Sequence, residues 1–98
     1  MSKIPKPTLF DWDKNNIDKN WKKHHVSFKE AEEFFFNKPL KIFSDVNHSK
    51  KEERIAALGH TNQGRKLTAI FTLRNKKIRI ISVRDMSRKE RKNYEEKK

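Results

Sequence analysis

Three short apolar segments, each separated from the next by a turn, limit the folds open to this sequence more than any other feature. Residues 54–60, 66–73 and 77–84 are dense in apolar and β-branched residues and predict β-strands. Gly64 marks the first turn, and residues 74–76 mark the second. Strands joined by such short turns run antiparallel, so these segments predict the centre of an antiparallel sheet.

Two helices are predicted before these strands. Asp13 is a good N-cap for a helix over residues 14–24. Ser27 and Glu30 form a capping box that begins a second helix, which runs to about residue 36 and is stopped by Pro39.

Further strands are predicted at residues 8–12 and 40–43. A final helix is predicted at residues 88–97, where Ser87 and Glu90 repeat the capping box. The order of elements is β-α-α-β-β-β-β-α, which indicates an α+β fold. We expect a small, mostly antiparallel sheet of four to five strands, two helices packed on one side and a basic C-terminal helix.

The two helix faces differ in how they can pack. Phe28, Ala31, Phe34 and Phe35 form an apolar stripe that we assign to the core. The final helix has Tyr94 as almost its only apolar contact. A helix so polar on every side either rests lightly on the sheet or is ordered by another molecule.

Composition favours one folded domain over residues 1–98, with residues 1–7 as a flexible tail. The chain is 39% charged and 33% hydrophobic, but its ten aromatic residues argue against disorder. The absence of cysteine excludes a disulfide, a thiolate zinc site and a cysteine nucleophile. With neither a signal peptide nor an apolar run of about 20 residues, we expect a cytoplasmic protein that does not contact a membrane.

Positive charge is concentrated in the second half of the chain. Residues 50–98 carry +10 of the net charge of +12. A basic surface of this kind binds either a phosphate backbone or an acidic protein.

Several short motifs, spread over about residues 9–96, have an order and spacing that resemble one protein family, the BrnT toxins, the ribonuclease half of a bacterial type II toxin–antitoxin pair. The motifs are Phe10-Asp11-Trp12-Asp13, Asn20, Lys23-His24, Val26-Ser27-Phe28-Lys29-Glu30-Ala31, Asp45, His48-Ser49, Glu52, Arg54, Gly59, Gly64-Arg65, Ile78-Arg79-Ile80-Ile81-Ser82-Val83-Arg84, Ser87, Glu90-Arg91 and Tyr94.

The resemblance implies a fold similar to that of the RelE-type ribonuclease toxins. It also implies an endoribonuclease that inhibits translation and growth and is neutralised by a BrnA-like antitoxin. The antitoxin would form a hetero-oligomer with the toxin and would alone contact the promoter DNA. Two positions depart from the family. His25 stands where Gly is common, and we expect the same left-handed turn there; Val83 replaces a common Ala.

The chemistry expected of such a ribonuclease uses the 2′-hydroxyl of RNA to attack the adjacent phosphate. This reaction needs a base, cations that stabilise the phosphate and a proton donor for the leaving oxygen. The sequence offers no convincing carboxylate cluster, and the adjacent pair His24-His25 points in different directions on a helix. We therefore expect a metal-independent reaction without a cofactor.

Arg84 is the first candidate for phosphate stabilisation, because it ends a buried strand directly before the basic helix. The alternative is a solvated charge at a strand end. Arg79 lies in the same strand, but the two are an odd number of residues apart, so a regular strand places them on opposite faces. Both can serve one site only if a bulge or twist intervenes; otherwise one is structural.

Three more residues are candidates for catalysis. Glu52 and Arg54 lie two apart and are either a base and a phosphate clamp or an ordinary surface ion pair. His48 could transfer a proton near neutral pH, or it is simply a turn residue.

Residues expected to contact RNA are basic, for the phosphate backbone, or aromatic, for stacking on a base. Some of them have an alternative role. The lysines could simply be solvated, and Tyr94 could serve packing. The residues that end the first helix could instead interact with the helix dipole. The set consists of Lys23, His24, Arg65, Arg88, Lys89, Arg91, Lys92 and Tyr94.

Two other functions remain open on the sequence alone. The chain could be a non-catalytic RNA-binding module, which charge alone would support. It could also be an interaction protein whose basic face serves only an acidic partner.

Overall fold

The computed structural model describes residues 8–45 and 54–96, in which three helices and a four-stranded sheet follow one another. Neighbouring strands are antiparallel, in the order β1-β2-β3-β4, which confirms the α+β prediction. The expected flexible tail, residues 1–7, lies outside this part of the chain. The elements are α1 (Lys14–His24), α2 (Phe28–Phe36), β1 (Lys41–Asp45), β2 (Arg54–His60), β3 (Lys66–Arg74), β4 (Lys77–Asp85) and α3 (Arg88–Glu95).

The strand predicted at residues 8–12 is wrong as a full strand. This segment makes a single parallel bridge to β4, in which Ile78 N donates to Leu9 O and Asp11 N donates to Ile78 O, both at 2.8 Å. Asp13 then begins α1 as its N-cap, so the chain turns away from the sheet after two hydrogen bonds.

The sheet has two different faces. One is covered by α1 and α2, as predicted, and holds the main core, in which Phe34 and Phe71 are fully buried. The other carries α3, whose Tyr94 packs with Leu58 and Met86 in a second, smaller cluster. Adjacent residues of a strand point to opposite faces, which is why a single sheet serves both clusters.

Phe28 is the one member of the predicted apolar stripe that does not belong to the core. It is 43% exposed, whereas Ala31, Phe34 and Phe35 are buried. Phe28 is the first residue of α2 and lies at its outer end, where its ring meets the ring of Trp12 edge to face at 6.3 Å.

A bulge in β4 decides which residues share a face of the sheet. Ile81 has no partner on β3, whereas Arg79 is opposite Thr72 and Arg84 is opposite Thr68. Because the two threonines are an even number apart, both arginines project from the face that carries α3. Arg79 and Arg84 therefore share a face despite their odd spacing, because a bulge lies between them, as the sequence analysis required.

Side chains of α1 cover the free edge of β4. Asn20 is buried, accepts from Val83 N at 3.2 Å and donates to Asn16 O at 3.1 Å. The Asn16 amide in turn donates to Ile80 O. These contacts satisfy backbone groups that an edge strand would otherwise leave unpaired.

Replacement of Asn20 with Ala should lower the free energy of unfolding by roughly 1–3 kcal/mol, because Val83 N would be left buried without an acceptor. Urea unfolding measures this change. Asn15→Ala is the matched control, since Asn15 is exposed on the same helix. Equal effects of the two substitutions would contradict the role given to Asn20.

The turn after α1 has the left-handed geometry expected from the sequence. His25 has φ 55° and ψ 38°, and its N–H caps the helix by donating to Trp21 O. Histidine thus takes the conformation for which glycine is favoured.

The helices within residues 8–45 and 54–96 are all too short and too polar to span a lipid bilayer.

Candidate active site

The end of the sheet where β4 stops gathers most of the predicted site residues. The last turn of α1, the first turn of α2 and the start of α3 all reach this end, where Arg84 and Asp85 close β4. Two groups of polar side chains form here, one centred on Arg84 and one on Arg65.

The Arg84 cluster consists of Arg84, Glu90, Thr68 and Ser87. Arg84 and Glu90 form a bidentate ion pair, with Nη1 2.8 Å from Oε1 and Nη2 2.9 Å from Oε2. Nη1 also donates to Asp85 O at 3.1 Å. The Arg84 side chain is 41% exposed, so it is held in place and yet can be reached from solvent.

Glu90 is the centre of this cluster. Its carboxylate also accepts from Thr68 Oγ1 and from Ser87 N, both at 2.8 Å. The hydrogen bond from Arg84, followed by those from Ser87 and Thr68, lowers the pKa of Glu90 from 4.5 to about 2, and the same pair raises the pKa of Arg84. Glu90 therefore stays ionised at neutral pH and orients Arg84, but it is a weak proton acceptor.

Acid should weaken the attachment of α3 through this carboxylate. The pKa of Glu90 is lower in the folded chain than in the unfolded one, so its contribution to stability is complete above about pH 4.5 and is lost as the pH falls towards 2. Glu90→Gln should therefore flatten the pH dependence of the urea midpoint in this range, whereas Glu96→Gln, at the exposed end of α3, should not. Identical curves for both variants would contradict this.

The Arg65 cluster consists of Arg65, Asp85 and Glu30 with two carbonyls of α1's C-terminal turn. Nε and Nη2 of Arg65 donate to Asp85 at 2.7 and 3.1 Å. Nη1 donates to His25 O at 2.8 Å and to Glu30 at 3.3 Å, and Nη2 donates to His24 O at 3.1 Å. Arg65 thus fastens α1 and α2 to the end of β4.

Asp85 connects this cluster to the basic surface. Its pKa is lowered, first by the hydrogen bond and charge of Arg65 and then by the nearby charges of His24 and Arg91. His24, Arg65 and Arg91 therefore lie near the same carboxylate, and their binding of RNA stays a prediction. Lys23 is exposed beside His24 on the same turn of α1.

Arg79 lies towards the other end of the same sheet face. Its Nη2 is 2.6 Å from Asp13 Oδ2 and its Nη1 is 3.6 Å from Asp11 Oδ1. Arg79 and Arg84 are four pairing positions apart along β3, or about 13 Å. The bulge gives them a common face but leaves each with its own carboxylate partners.

A shallow pocket of about 290 Å3 adjoins Arg79 beside the bulge. The hydrogen bond from Asn16 N, followed by that from Arg79, lowers the pKa of Asp13, which faces this pocket. The lining residues are Asp13, Asn15, Asn16, Lys19, Arg79 and Ile81.

The remaining catalytic candidates lie near or outside the limits of the described chain. Arg54 is partly buried at the start of β2, next to Ile55, which is opposite Phe71. This register puts Arg54 at the Arg79 end of the sheet rather than at Arg84. His48 and Glu52 lie outside the described residues, so the pairing of Glu52 with Arg54 and the role of His48 stay predictions.

α3 is held by polar contacts that its sequence alone does not reveal. Besides the contacts of Glu90, Glu95 forms an ion pair with Lys66. At the end of the helix, Lys41 Nζ donates to Asn93 O at 3.0 Å and to Glu96 O at 3.2 Å. Tyr94 is the apolar contact of this helix, as expected, and cations of β1 and β3 add polar contacts to its C-terminal half.

The outer surface of α3 is a row of cations. Arg88, Lys89, Arg91 and Lys92 are all exposed, so a phosphate backbone could bind them. Tyr94 faces the other way and is 7% exposed, so its ring serves packing and offers no face to a base while α3 is docked.

Sequence reasoning did not identify His60. It ends β2 on the face of α3, and its Nδ1 is 2.8 Å from the hydroxyl of Tyr94. The hydroxyl of Tyr94 in turn donates to Pro39 O at 2.6 Å, and burial raises the pKa of the tyrosine. His60 and Tyr94 are 34 residues apart, and no local pattern in the sequence signals the contact.

Comparison with known proteins places this site in a family. A search of the curated proteins finds no match. The family model described as the ribonuclease toxin, BrnT, of the type II toxin–antitoxin system matches residues 12–90 of the 98. This range contains β1 to β4, both clusters and the start of α3. The chain therefore belongs to the BrnT family of ribonuclease toxins of type II toxin–antitoxin systems.

Proposed function

We propose that this protein is a metal-independent endoribonuclease that cuts cellular RNA in the cytoplasm and so inhibits translation and growth. The observation that carries the proposal is Arg84, which is partly exposed, bound by a bidentate carboxylate and placed near the end of β4. Such an arginine is suited to binding the charge that develops on a phosphate during cleavage.

The hydrogen bonds of Arg84 leave a complete edge of the guanidinium for RNA. Nη1 donates to Glu90 and to Asp85 O, and one N–H of Nη2 donates to Glu90. Of the five N–H donors of arginine, Nε–H and the second N–H of Nη2 remain without a partner within residues 8–45 and 54–96. These two lie side by side and match two oxygens of a phosphate.

The proposed reaction is attack by a 2′-hydroxyl on the adjacent phosphorus. The bond from O2′ to phosphorus forms, the bond to the 5′-oxygen breaks, and the products are a 2′,3′-cyclic phosphate and a free 5′-hydroxyl. Arg84 neutralises the charge on the phosphate oxygens during this step. The cations of α3, together with Lys23 and His24, bind the flanking phosphates.

The partner that fits this surface is a BrnA-like antitoxin, which would neutralise the enzyme in a toxin–antitoxin hetero-oligomer. The family is that of a toxin with an antitoxin, and the net charge of +12 suits an acidic segment that covers the basic face. In this proposal promoter DNA is contacted only through the antitoxin.

A second function, an RNA-binding module without catalysis, is favoured by one observation. The carboxylate of the Arg84 cluster, with a pKa of about 2, is a weak base, so this cluster by itself lacks a proton acceptor.

One experiment separates the two functions. The purified chain is incubated in EDTA with a defined RNA, and products are read on a denaturing gel with end-group analysis; Arg84→Ala protein, purified identically, exposes any contaminating nuclease. Cleavage by the parent alone with cyclic phosphate ends supports the proposal. Intact RNA here and with translating ribosomes, beside salt-dependent RNA binding, would establish the binding module instead.

A further inference from the structure

We infer that His60 is the proton acceptor of this ribonuclease, acting through Nε2 on the 2′-hydroxyl of the RNA. The inference rests on the proposed function, and it supplies the base that the Arg84 cluster lacks. It follows from the direction of two hydrogen bonds and from the place of His60 on the sheet.

The hydrogen bonds of Tyr94 fix the tautomer of His60. A tyrosine hydroxyl has one proton, and because Pro39 O can only accept, that proton is donated to Pro39 at 2.6 Å. The Tyr94 oxygen must then accept from His60, so Nδ1 carries the hydrogen across the 2.8 Å contact. In the neutral imidazole the lone pair is therefore on Nε2.

Nε2 is available to a substrate. His60 is partly exposed, and within the described parts of the chain Nε2 has no hydrogen-bond partner. An imidazole held by one nitrogen with the other open has the arrangement of a general base.

The register of the sheet puts His60 near Arg84 on one face. Thr68 of β3 is paired with Leu58 of β2 on one side and with Arg84 of β4 on the other, and His60 lies two residues beyond Leu58. Two strand spacings across and two residues along separate the Cα atoms of His60 and Arg84 by about 12 Å.

Both side chains contact the same side of α3. Arg84 binds Glu90 and His60 binds Tyr94, which follows Glu90 by one helical turn. Arg84 and His60 thus both border the sheet-facing side of α3, and in the inferred complex the scissile phosphate lies on the free edge of Arg84 with the attacking ribose towards His60.

The charges around His60 also suit an RNA site. Lys66 is its direct partner on β3 and is paired with Glu95, while Lys41 Nζ lies 5.7 Å from the centre of the tyrosine ring. On the side of α2, Glu33 accepts from the loop that follows β2. Two lysines therefore lie beside the His60–Tyr94 pair, Lys66 bound to Glu95 and Lys41 bound to carbonyls at the end of α3.

In the proposed step Nε2 takes the proton of the 2′-hydroxyl as O2′ bonds to phosphorus. His60 becomes an imidazolium, the bond to the 5′-oxygen breaks, and that oxygen takes a proton from water. The imidazolium then returns its proton to solvent, so the enzyme is unchanged after one turnover.

The test compares His60→Gln with the parent under conditions in which the parent cleaves RNA. Glutamine retains an N–H for Tyr94 but has no basic nitrogen. We expect cleavage to fall by about 10²-fold or more and to lose the acidic limb of its pH profile, because the variant has no basic nitrogen at this position. His25→Asn is the matched control, since His25 is exposed and asparagine tolerates its left-handed backbone.

A second measurement keeps the inference testable apart from activity. Nitrogen-15 spectra of the histidine rings should show the lone pair of His60 on Nε2, and Tyr94→Phe should release this preference. An unchanged pH profile in His60→Gln, or a lone pair on Nδ1, would overturn the inference while leaving the ribonuclease intact. A parent that leaves RNA uncut in every assay would overturn the proposed function and the inference with it.

Discussion

Arg84→Ala is expected to lower the rate of RNA cleavage by about 10²–10³-fold, the loss typical of removing one fixed donor to a developing negative charge. The substitution removes the free edge of the guanidinium that faces solvent. It also leaves Glu90 with Thr68 and Ser87 as its remaining donors, so α3 keeps part of its attachment. Initial rates with a labelled oligoribonucleotide measure the effect.

Two further variants separate geometry from charge. Arg84→Lys keeps the positive charge but lacks the second donor of the fork, so it should recover only a small part of the rate. Lys77→Ala removes one charge from the far, exposed end of the same strand and should leave the rate close to that of the parent. RNA affinity is measured beside the rate for each protein.

A folded Arg84→Ala protein with full activity would contradict the role of this arginine. Equal losses in Arg84→Ala and Lys77→Ala would also contradict it, because they would show that net charge alone matters. Thermal unfolding of each variant identifies any loss that comes from a damaged fold.

Phe34→Ala is expected to lower the free energy of unfolding by about 3–5 kcal/mol, a large share of the stability of a domain this size. The Phe34 ring is fully buried between α2 and the sheet. It is packed so closely on β2 that a Cβ placed on Gly59 would lie 2.9 Å from it. The surrounding rings cannot collapse into the space that the substitution would leave, so a cavity remains.

The same helix provides the control for this prediction. Phe36 is 60% exposed, and its replacement by Ala removes the same atoms with little loss of buried contact. Urea unfolding of both variants should therefore show a large effect at position 34 and a small one at position 36. Effects of similar size would mean that α2 does not pack as described.

Local signals in the sequence predicted most of the fold. Ser27 and Ser87 cap the helices that their spacing to Glu30 and Glu90 indicated, and both capping boxes are present. The three hairpin strands follow their apolar residues. The bulge at Ile81 had no such signal, because neither glycine nor proline marks it. The odd spacing of Arg79 and Arg84 indicated only that a bulge would place both on one face of the sheet.

The site was predicted less completely, because its contacts join residues that are far apart in the chain. In the sequence Arg65 is one more cation in a basic segment, yet in the fold it donates to the carbonyls of His25 and His24, 40 and 41 residues before it. Glu90 reads only as a cap, although the docking of α3 also makes it the partner of Arg84. His60 depends on Tyr94 in the same way. Periodicity and capping report neighbours along the chain and not across the sheet.

The side-chain amides of α1 that bind the edge of β4 affect how this chain behaves at high concentration. A bare edge strand invites pairing with another molecule, and in a growth inhibitor that pairing would lead to aggregates rather than to a defined complex. Asn16 and Asn20 occupy the groups that a foreign strand would need. Loss of Asn20 would thus do double harm, since it would loosen the fold and uncover a template for aggregation.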